Sequence, residues 1–277
     1  MSRLVVPCLS LVLLSVSQVS DAHAKERPWR AWPTGKRLNL AVGGFWPNLD
    51  TKVRVDASNG LLGTQIDFES NLGMEDSKAL PIMMARWRIT RRNAIDFSYF
   101  DLNRSGQSVS DTVIRFGDVV FPANLPLNSF FDSEIYAAAW SYSFIHNPTT
   151  DIAFQLGLSV QDIAVGITGP NGVISEDADF TAPLPTFGLS GGHFFNDKLG
   201  IVGRVGVFAI EIDLSDGEFK GEVLNIALGL EWDAFEHVGF GFGLEYFHVN
   251  VDVDDKDWSG ELRYDWWGPV ATVNFFF

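Results

Sequence analysis

Cysteine is all but missing from this sequence. The single one, Cys8, sits in an apolar N-terminal stretch, too early and in the wrong context for a lipoprotein site. The rest of the chain therefore has no disulfide, no thiol nucleophile and no cysteine metal ligand. Long hydrophobic runs are missing too. After residue 24 no uninterrupted apolar segment approaches the ~18 residues of a membrane helix. Positive charge is in deficit, with 20 Lys+Arg against 35 Asp+Glu, and a net charge of −15 argues against nucleic-acid binding. Histidine is scarce: beyond residue 24 there are only His146, His193, His237 and His248.

What is present begins with an export signal. Arg3 supplies the basic start, Leu4 to Val16 the apolar core and Ala22-His23-Ala24 the small-residue cleavage site of a secretory signal peptide over residues 1–24. The apolar part is too short to span a membrane as a helix. The expected mature chain starts at Lys25, with 25–36 as a periplasmic lead-in and 37–277 as one domain.

That domain alternates at period 2. Leu38, Leu40, Val42 and Trp46 share a face. Further alternating segments follow at 81–89, 94–103, 134–145, 152–161, up to about Phe195, 199–208, 224–232, 239–252 and 261–277. In most of them the apolar face carries aromatics, and the last ends on Phe275, Phe276 and Phe277. Short polar turns near Asn93, Asn147, Asn196 and Glu236 alternate with longer connections, as in barrels with short periplasmic turns and long outer loops. The expected fold is all-β: a transmembrane antiparallel up-and-down barrel of about ten strands. A hairpin at 113–121 would make twelve, and a different parse of the first pair would make eight. In lipid every backbone amide must be paired, so such a sheet has to close on itself. A soluble sandwich would also alternate, but its strands need no aromatic lipid face and no export signal.

Beyond the ten segments, 51–57 and 63–70 are expected as strand extensions above the membrane. Residues 104–132 are expected as a large outer loop that folds inward. Trp46, Trp87, Trp140, Trp232, Trp266 and Trp267 are expected in the interfacial aromatic belts.

The inward faces hold Asn39, Arg86, Arg88, Asp96, Gln155, Gln161, Arg204, Glu231 and Glu245. Strand order puts Arg86 and Arg88 near Asp96, Glu231 beside Glu245, and Arg204 within reach of Glu231. A narrow lumen is mostly filled by side chains, so these groups are expected to pair and plug it. The alternative is a small-solute channel lined by the same groups. An enzyme acting on lipid A or peptides is a further alternative. It needs a positioned base, and the sequence shows no Ser/His/acid or Asp/His constellation at the outer rim. The reading is therefore non-enzymatic, without cofactor or metal. Asp252, Asp254, Asp255 and Asp257 form a candidate divalent-cation loop that lacks EF-hand spacing. It would act by bridging to lipopolysaccharide phosphates.

With these residues in view, 37–277 resembles the small outer-membrane β-barrel proteins of Gram-negative bacteria, in the architecture shared by the OmpA transmembrane domain and OmpW. Leu62 to Phe68 and Asp96 to Gly106 are similar to segments of uncharacterised proteobacterial barrel proteins. The resemblance implies a monomer in the outer membrane, with contacts to its lipids and lipopolysaccharide. It implies insertion by barrel-assembly machinery that reads the terminal signature of Tyr264, Phe275 and Phe277. It brings no assigned activity, so a structural, narrow-permeation or surface-interaction role is expected.

Overall fold

The computed structural model describes residues 36–214, 217–254 and 259–277. The expected signal peptide and most of the lead-in lie outside these residues. Strands β1 (Leu38–Phe45), β2 (Asn48–Val55) and β3 (Ile66–Asp67) precede helix α1 (Phe68–Leu72). Then come β4 (Leu80–Arg88), β5 (Asn93–Val109), β6 (Ile114–Phe116), β7 (Val119–Phe121), β8 (Pro126–His146) and β9 (Thr150–Thr168). The chain ends with β10 (Ser175–Phe194), β11 (Leu199–Leu214), β12 (Gly217–Trp232), β13 (Val238–Asp254) and β14 (Ser259–Phe276).

Every neighbouring pair in the barrel is antiparallel. The order β1-β4-β5-β8-β9-β10-β11-β12-β13-β14 is closed by pairing of β14 back to β1, so the barrel has ten strands. The seam needs two pieces. β14 pairs with β1 from Phe276 to Val270, then with β2 from Trp267 to Gly260. Between them the chain bends at Trp46-Pro47. There a Cβ on Gly268 would stand 2.2 Å from the Trp46 carbonyl oxygen, so only glycine fits opposite the bend.

The strands are longer than a bilayer needs. β8 has 21 residues and β13 has 17, against the ~9–11 of a spanning strand. The surplus is explained by a reversal of pattern along single strands. On β13, Phe242 and Leu244 point outward and are exposed, while further along Val249 and Val251 are buried inside. On β14, Trp267 and Phe275 are outward, while Leu262, Tyr264 and Trp266 are buried. On β8, Tyr136 and Trp140 are outward, while Phe131 and Ile135 are buried. On each strand the hydrophobic face changes sides between adjacent residues, and these points form one ring around the barrel.

Below the ring the exterior is apolar, with Tyr99, Tyr136 and Tyr246 at one rim and Trp87, Trp140 and Trp232 toward the other. About ten residues per strand at ~3.3 Å, tilted by ~40°, span roughly 25 Å, the height of the lipid-facing band of outer-membrane barrels. Above the ring the exterior is polar and the interior is an apolar core that includes Phe45, Leu49, Phe68, Leu72, Phe116, Phe121 and Phe131. The molecule is therefore a membrane barrel continued outward into a water-facing head with its own core.

Two expectations are corrected in the head. Residues 104–132 are not mainly loop: β5 runs to Val109 and β8 starts at Pro126. The intervening hairpin, β6–β7, forms a separate two-stranded sheet rather than two more wall strands. It folds inward, with Ile114, Phe116 and Phe121 at 2% exposure or less. Residues 63–70 are not a strand extension either. Only Ile66–Asp67 pair with β2, and Asp67 caps α1 by accepting from Ser70 N at 2.8 Å. Gly73, with φ of +67°, ends the helix in the left-handed region.

Candidate functional site

The inward residues at membrane height are small: Ala41, Gly157, Gly188, Gly206, Ala227 and Gly243 among them. Small side chains on a ten-strand wall leave space, and a chamber of about 350 Å³ lies inside the barrel. Its upper wall is aromatic and aliphatic, from Phe45, Phe100, Ile135, Phe247 and Trp266. Trp266 stacks on Tyr264 at 5.0 Å, and Phe247 packs on both. Tyr264 also donates a hydrogen bond to Gln161 across the lumen. Trp266 is thus part of the core over the chamber and not of the expected aromatic belt. Its neighbour Trp267 is outward and 56% exposed.

The lower walls are polar, in separate clusters. Register sets Arg86 opposite Asp96, and they form an ion pair at 3.0 Å. Asp96 also accepts from Gln155 at 3.0 Å and from Ser141. Across the chamber Arg204 pairs with Glu245 at 3.0 Å. Asn225 bridges them, accepting from Arg204 at 2.9 Å and donating to Glu245 at 2.8 Å. Glu231 accepts from Asn274 at 3.0 Å.

Two ion pairs differ from expectation, and Glu231 does not lie beside Glu245 but four residues away along the β12–β13 register. Arg88 does not bond Asp96. It lies one row lower and pairs with Asp151, which also contacts His146 at 3.4 Å. Arg204 is bonded to Glu245 and not to Glu231. Across β12–β13 Glu245 faces Ala227, one strand over from Arg204, whereas Glu231 faces Gly241. Sequence parity gave the facing of these side chains, but the row of each depends on barrel stagger, which no single segment encodes.

At the ring, on the exterior, the structure makes a constellation the sequence reading missed. His248 on β13 is the direct cross-strand partner of Asp265 on β14. His248 Nδ1 lies 2.8 Å from Asp265 Oδ1, and Tyr246 donates to the same oxygen at 2.7 Å. Arg263 stands 3.7 Å from the other oxygen. Burial raises the Asp265 carboxyl, but the bonds from Tyr246 and His248 outweigh it and hold it below its ordinary range. The contact follows from the hairpin register alone, so pairing β13 with β14 around the acidic turn would have exposed it.

In the acidic turn, Asp252 and Asp254 face outward on β13, while Asp255 and Asp257 lie outside the described residues. Among the described residues no group of three or more His, Cys, Asp or Glu is arranged to hold a metal ion. Tyr264 is buried in the head, far from the chain end, whereas Phe275 and Phe277 lie at the opposite rim.

No protein-family model matches the chain, and no curated protein does either. Among solved structures it is similar to the outer-membrane protease OmpT of Escherichia coli, at 12% identity and a TM-score of 0.57. That match covers 86% of this chain and 97% of the other. It is also aligned, at 8% identity and a TM-score of 0.43, with the transport unit of the autotransporter AIDA-I of Escherichia coli, covering 97% of this chain and 94% of that one. A further match, at 9% identity and a TM-score of 0.38, is the Pseudomonas putida toluene transporter TodX, covering 87% and 90%. At such identities only the fold carries over. Closed pairing, the apolar belt and the likeness to the protease barrel together make this chain a ten-stranded antiparallel β-barrel of the outer-membrane type.

Proposed function

We propose that the protein is a closed-lumen outer-membrane barrel that works through its head at the cell surface. One observation carries this reading: the outer half of the lumen is packed with an apolar core to which the wall, α1 and the β6–β7 hairpin all contribute. A solute path would have to cross that core, and the polar groups beneath it are bonded to one another rather than lined along a pore. The intact protein in planar bilayers is expected to give no steady openings under applied voltage. Steady single-channel openings would overturn the reading in favour of a small-solute channel.

Export through cleavage after Ala24 belongs to the same proposal, and N-terminal sequencing of the membrane-inserted protein tests it. So does contact with lipopolysaccharide. Outside the ring the head is acidic, with Asp101, Asp132 and Glu134 close together. Burial and the neighbouring Asp101 push the Asp132 carboxyl up. Divalent cations shared with lipid phosphates would relieve that repulsion.

A second reading has a specific observation behind it. His248, oriented by Asp265, sits at the headgroup level, where a positioned base would meet lipid. The structurally similar OmpT is named as a protease, so this fold accommodates catalysis.

A further inference from the structure

The wall of the head is not paired all the way round. β10 pairs with β9 over nineteen residues and β11 with β12 over sixteen. β10 and β11 pair with each other over only eight, with Phe187↔Val207 as the uppermost rung. Both of those side chains are outward and exposed, at the top of the apolar belt. Above them the two strands run on into the head without a ladder between them. The sequence explains the break. Phe194 N–H donates to Thr149 on the β9 side, and Phe195 N–H donates to Leu199 on the β11 side. The register with β9 is unbroken along β10, so odd-numbered residues turn their amides to β11. The next two rungs would set residue 185 opposite Ala209 and residue 183 opposite Glu211, and both are proline. Proline has no N–H to give and is tolerated in a sheet only along an edge. In lipid such a break would leave backbone groups unpaired, and it begins where the belt ends and water can meet them.

Pro183 and Pro185 blunt β10 but not β11. Even-numbered residues of β11 turn their backbone groups to β12, as the bond from Asp233 N–H to the Lys198 carbonyl shows for the rung below. Ala209, Glu211 and Asp213 therefore turn theirs to the gap, and no backbone bond reaches them there among the described residues. An edge of this kind is a template for a further strand. Its flanks are acidic on the outer face, with Glu211 on β11, Glu222 on β12, Asp162 on β9 and Asp177 and Asp179 on β10, all exposed. Lys220 is taken up by Glu211 and Glu218. Asp162, Asp177, Asp179 and Glu222 form no ion pair among the described residues. On the inner face Leu184 and Phe208 belong to the head core and Ile210 packs against it.

We propose that the open edge of β11 over Ala209–Asp213 binds an extended cationic peptide as an added strand, its basic side chains outward among the acidic flanks and its apolar ones inward against Phe208 and Ile210. Backbone bonds along the edge supply the affinity, and the alternation of basic and apolar residues supplies the selectivity. The inference rests on the surface role proposed above and names a partner for it. Channel openings in bilayers would overturn that role and leave the edge in place, whereas silent bilayers with no peptide binding would overturn the edge alone.

The test uses the full mature protein in detergent and three synthetic peptides. One alternates Lys and Val, one alternates Glu and Val, and the third is the Lys-Val peptide with N-methyl groups on alternate amides, which keeps the charge and removes the strand bonds. Calorimetric titration is expected to show saturable binding of the Lys-Val peptide, at least about tenfold tighter than either of the others. Hydrogen exchange at the amides of Ala209, Glu211 and Asp213 is expected to be fast in the free protein and at least about tenfold slower with the peptide bound. Ala209→Pro removes an N–H that faces the gap and leaves the β11–β12 ladder whole, and is expected to weaken binding about tenfold. Equal binding of the methylated and unmethylated peptides would mean that charge alone attracts them, and would overturn the proposal. Undiminished binding to Ala209→Pro, or exchange unchanged by the peptide, would do the same. Slow exchange at these amides in the free protein that becomes fast on dilution would mean that a second copy of the chain holds the edge, and would also overturn it. If Ala209→Pro does not fold, the three peptides on the parent protein decide alone.

Discussion

Asp265 gathers Tyr246 and His248 on one oxygen and has Arg263 near the other, at the level where lipid headgroups meet the head. Its pKa lies below the ordinary carboxylate value. A carboxyl depressed on folding contributes stability that is present above its unfolded pKa of ~3.9 and is lost as pH falls through the lower, folded value. Asp265→Asn is therefore expected to cost ~0.5–1 kcal/mol at neutral pH, as befits a partly exposed cluster. The difference from the parent should shrink as pH is taken below ~4. Urea unfolding at pH 7 and at pH 3 measures it, and an unchanged difference at pH 3 would show that the carboxylate is not the source. The same variant tests the catalytic reading. If His248 acts as a base on headgroups, the lipid A mass profile of cells carrying Asp265→Asn will differ from that of the parent. Under the surface role the two profiles are the same. Single residues were legible only in direction. Trp266 and Trp267 point to opposite sides by parity, but parity does not say that the inner side here is a dry core and the outer side lipid.

Elements carry the feature that the alternation by itself hid. Each long strand is two amphipathic strands in opposite phase, joined where two apolar residues stand side by side: Tyr246-Phe247, Trp266-Trp267, Ile135-Tyr136, Val207-Phe208. On β13 the consequence is testable. Val251→Asp places a carboxylate in the head core at a site 1% exposed and is expected to cost ~3 kcal/mol or more. Phe242→Arg, at mid-belt on the outer face, is expected to cost ~2–4 kcal/mol in a bilayer. Asp254→Ala, outward in the head, should stay within ~0.5 kcal/mol. Unfolding from liposomes compares the three. A harmless Val251→Asp would mean that the head interior is wet. Strand number, strand direction and the outward faces below the ring were readable from period 2 and from turns such as Asn147-Pro148. The head was not, because the lipid-face pattern stops at the ring and the remaining apolar residues look like loop. The Asp67 cap and Gly73 stop of α1 were there to be read, but they lay in a stretch with strand-like composition. The β6–β7 hairpin closes around Gly117 at φ +58°, a turn signal inside the 104–132 segment.

For the whole molecule, closure depends on the least continuous seam. Five neighbouring pairs hold over sixteen or more residues, but β14 meets β1 over only seven before the bend at Trp46-Pro47, and β2 supplies the rest. Phe277 locks the lower end of that seam. Its N–H donates to the Leu38 carbonyl at 2.8 Å, and its carbonyl accepts from Arg37 at 2.9 Å and Leu38 at 3.1 Å. Its ring, by contrast, is 60% exposed on the lipid side. Backbone and ring therefore make separable contributions. Deleting Phe277 removes both the backbone bonds and the ring, whereas Phe277→Ala removes only the ring. If assembly machinery recognises the terminal aromatic, both variants are expected to fall to low levels in the membrane, while Phe277→Ala refolded in detergent unfolds at the parent's urea midpoint. If the seam bonds matter instead, Phe277→Ala inserts normally and only the deletion is lost, with a lowered midpoint after refolding. Membrane levels and refolded midpoints of the two variants, measured side by side, separate an address read by a partner from a latch that belongs to the barrel itself. Parent-like values for both variants in both measurements would remove Phe277 from either role.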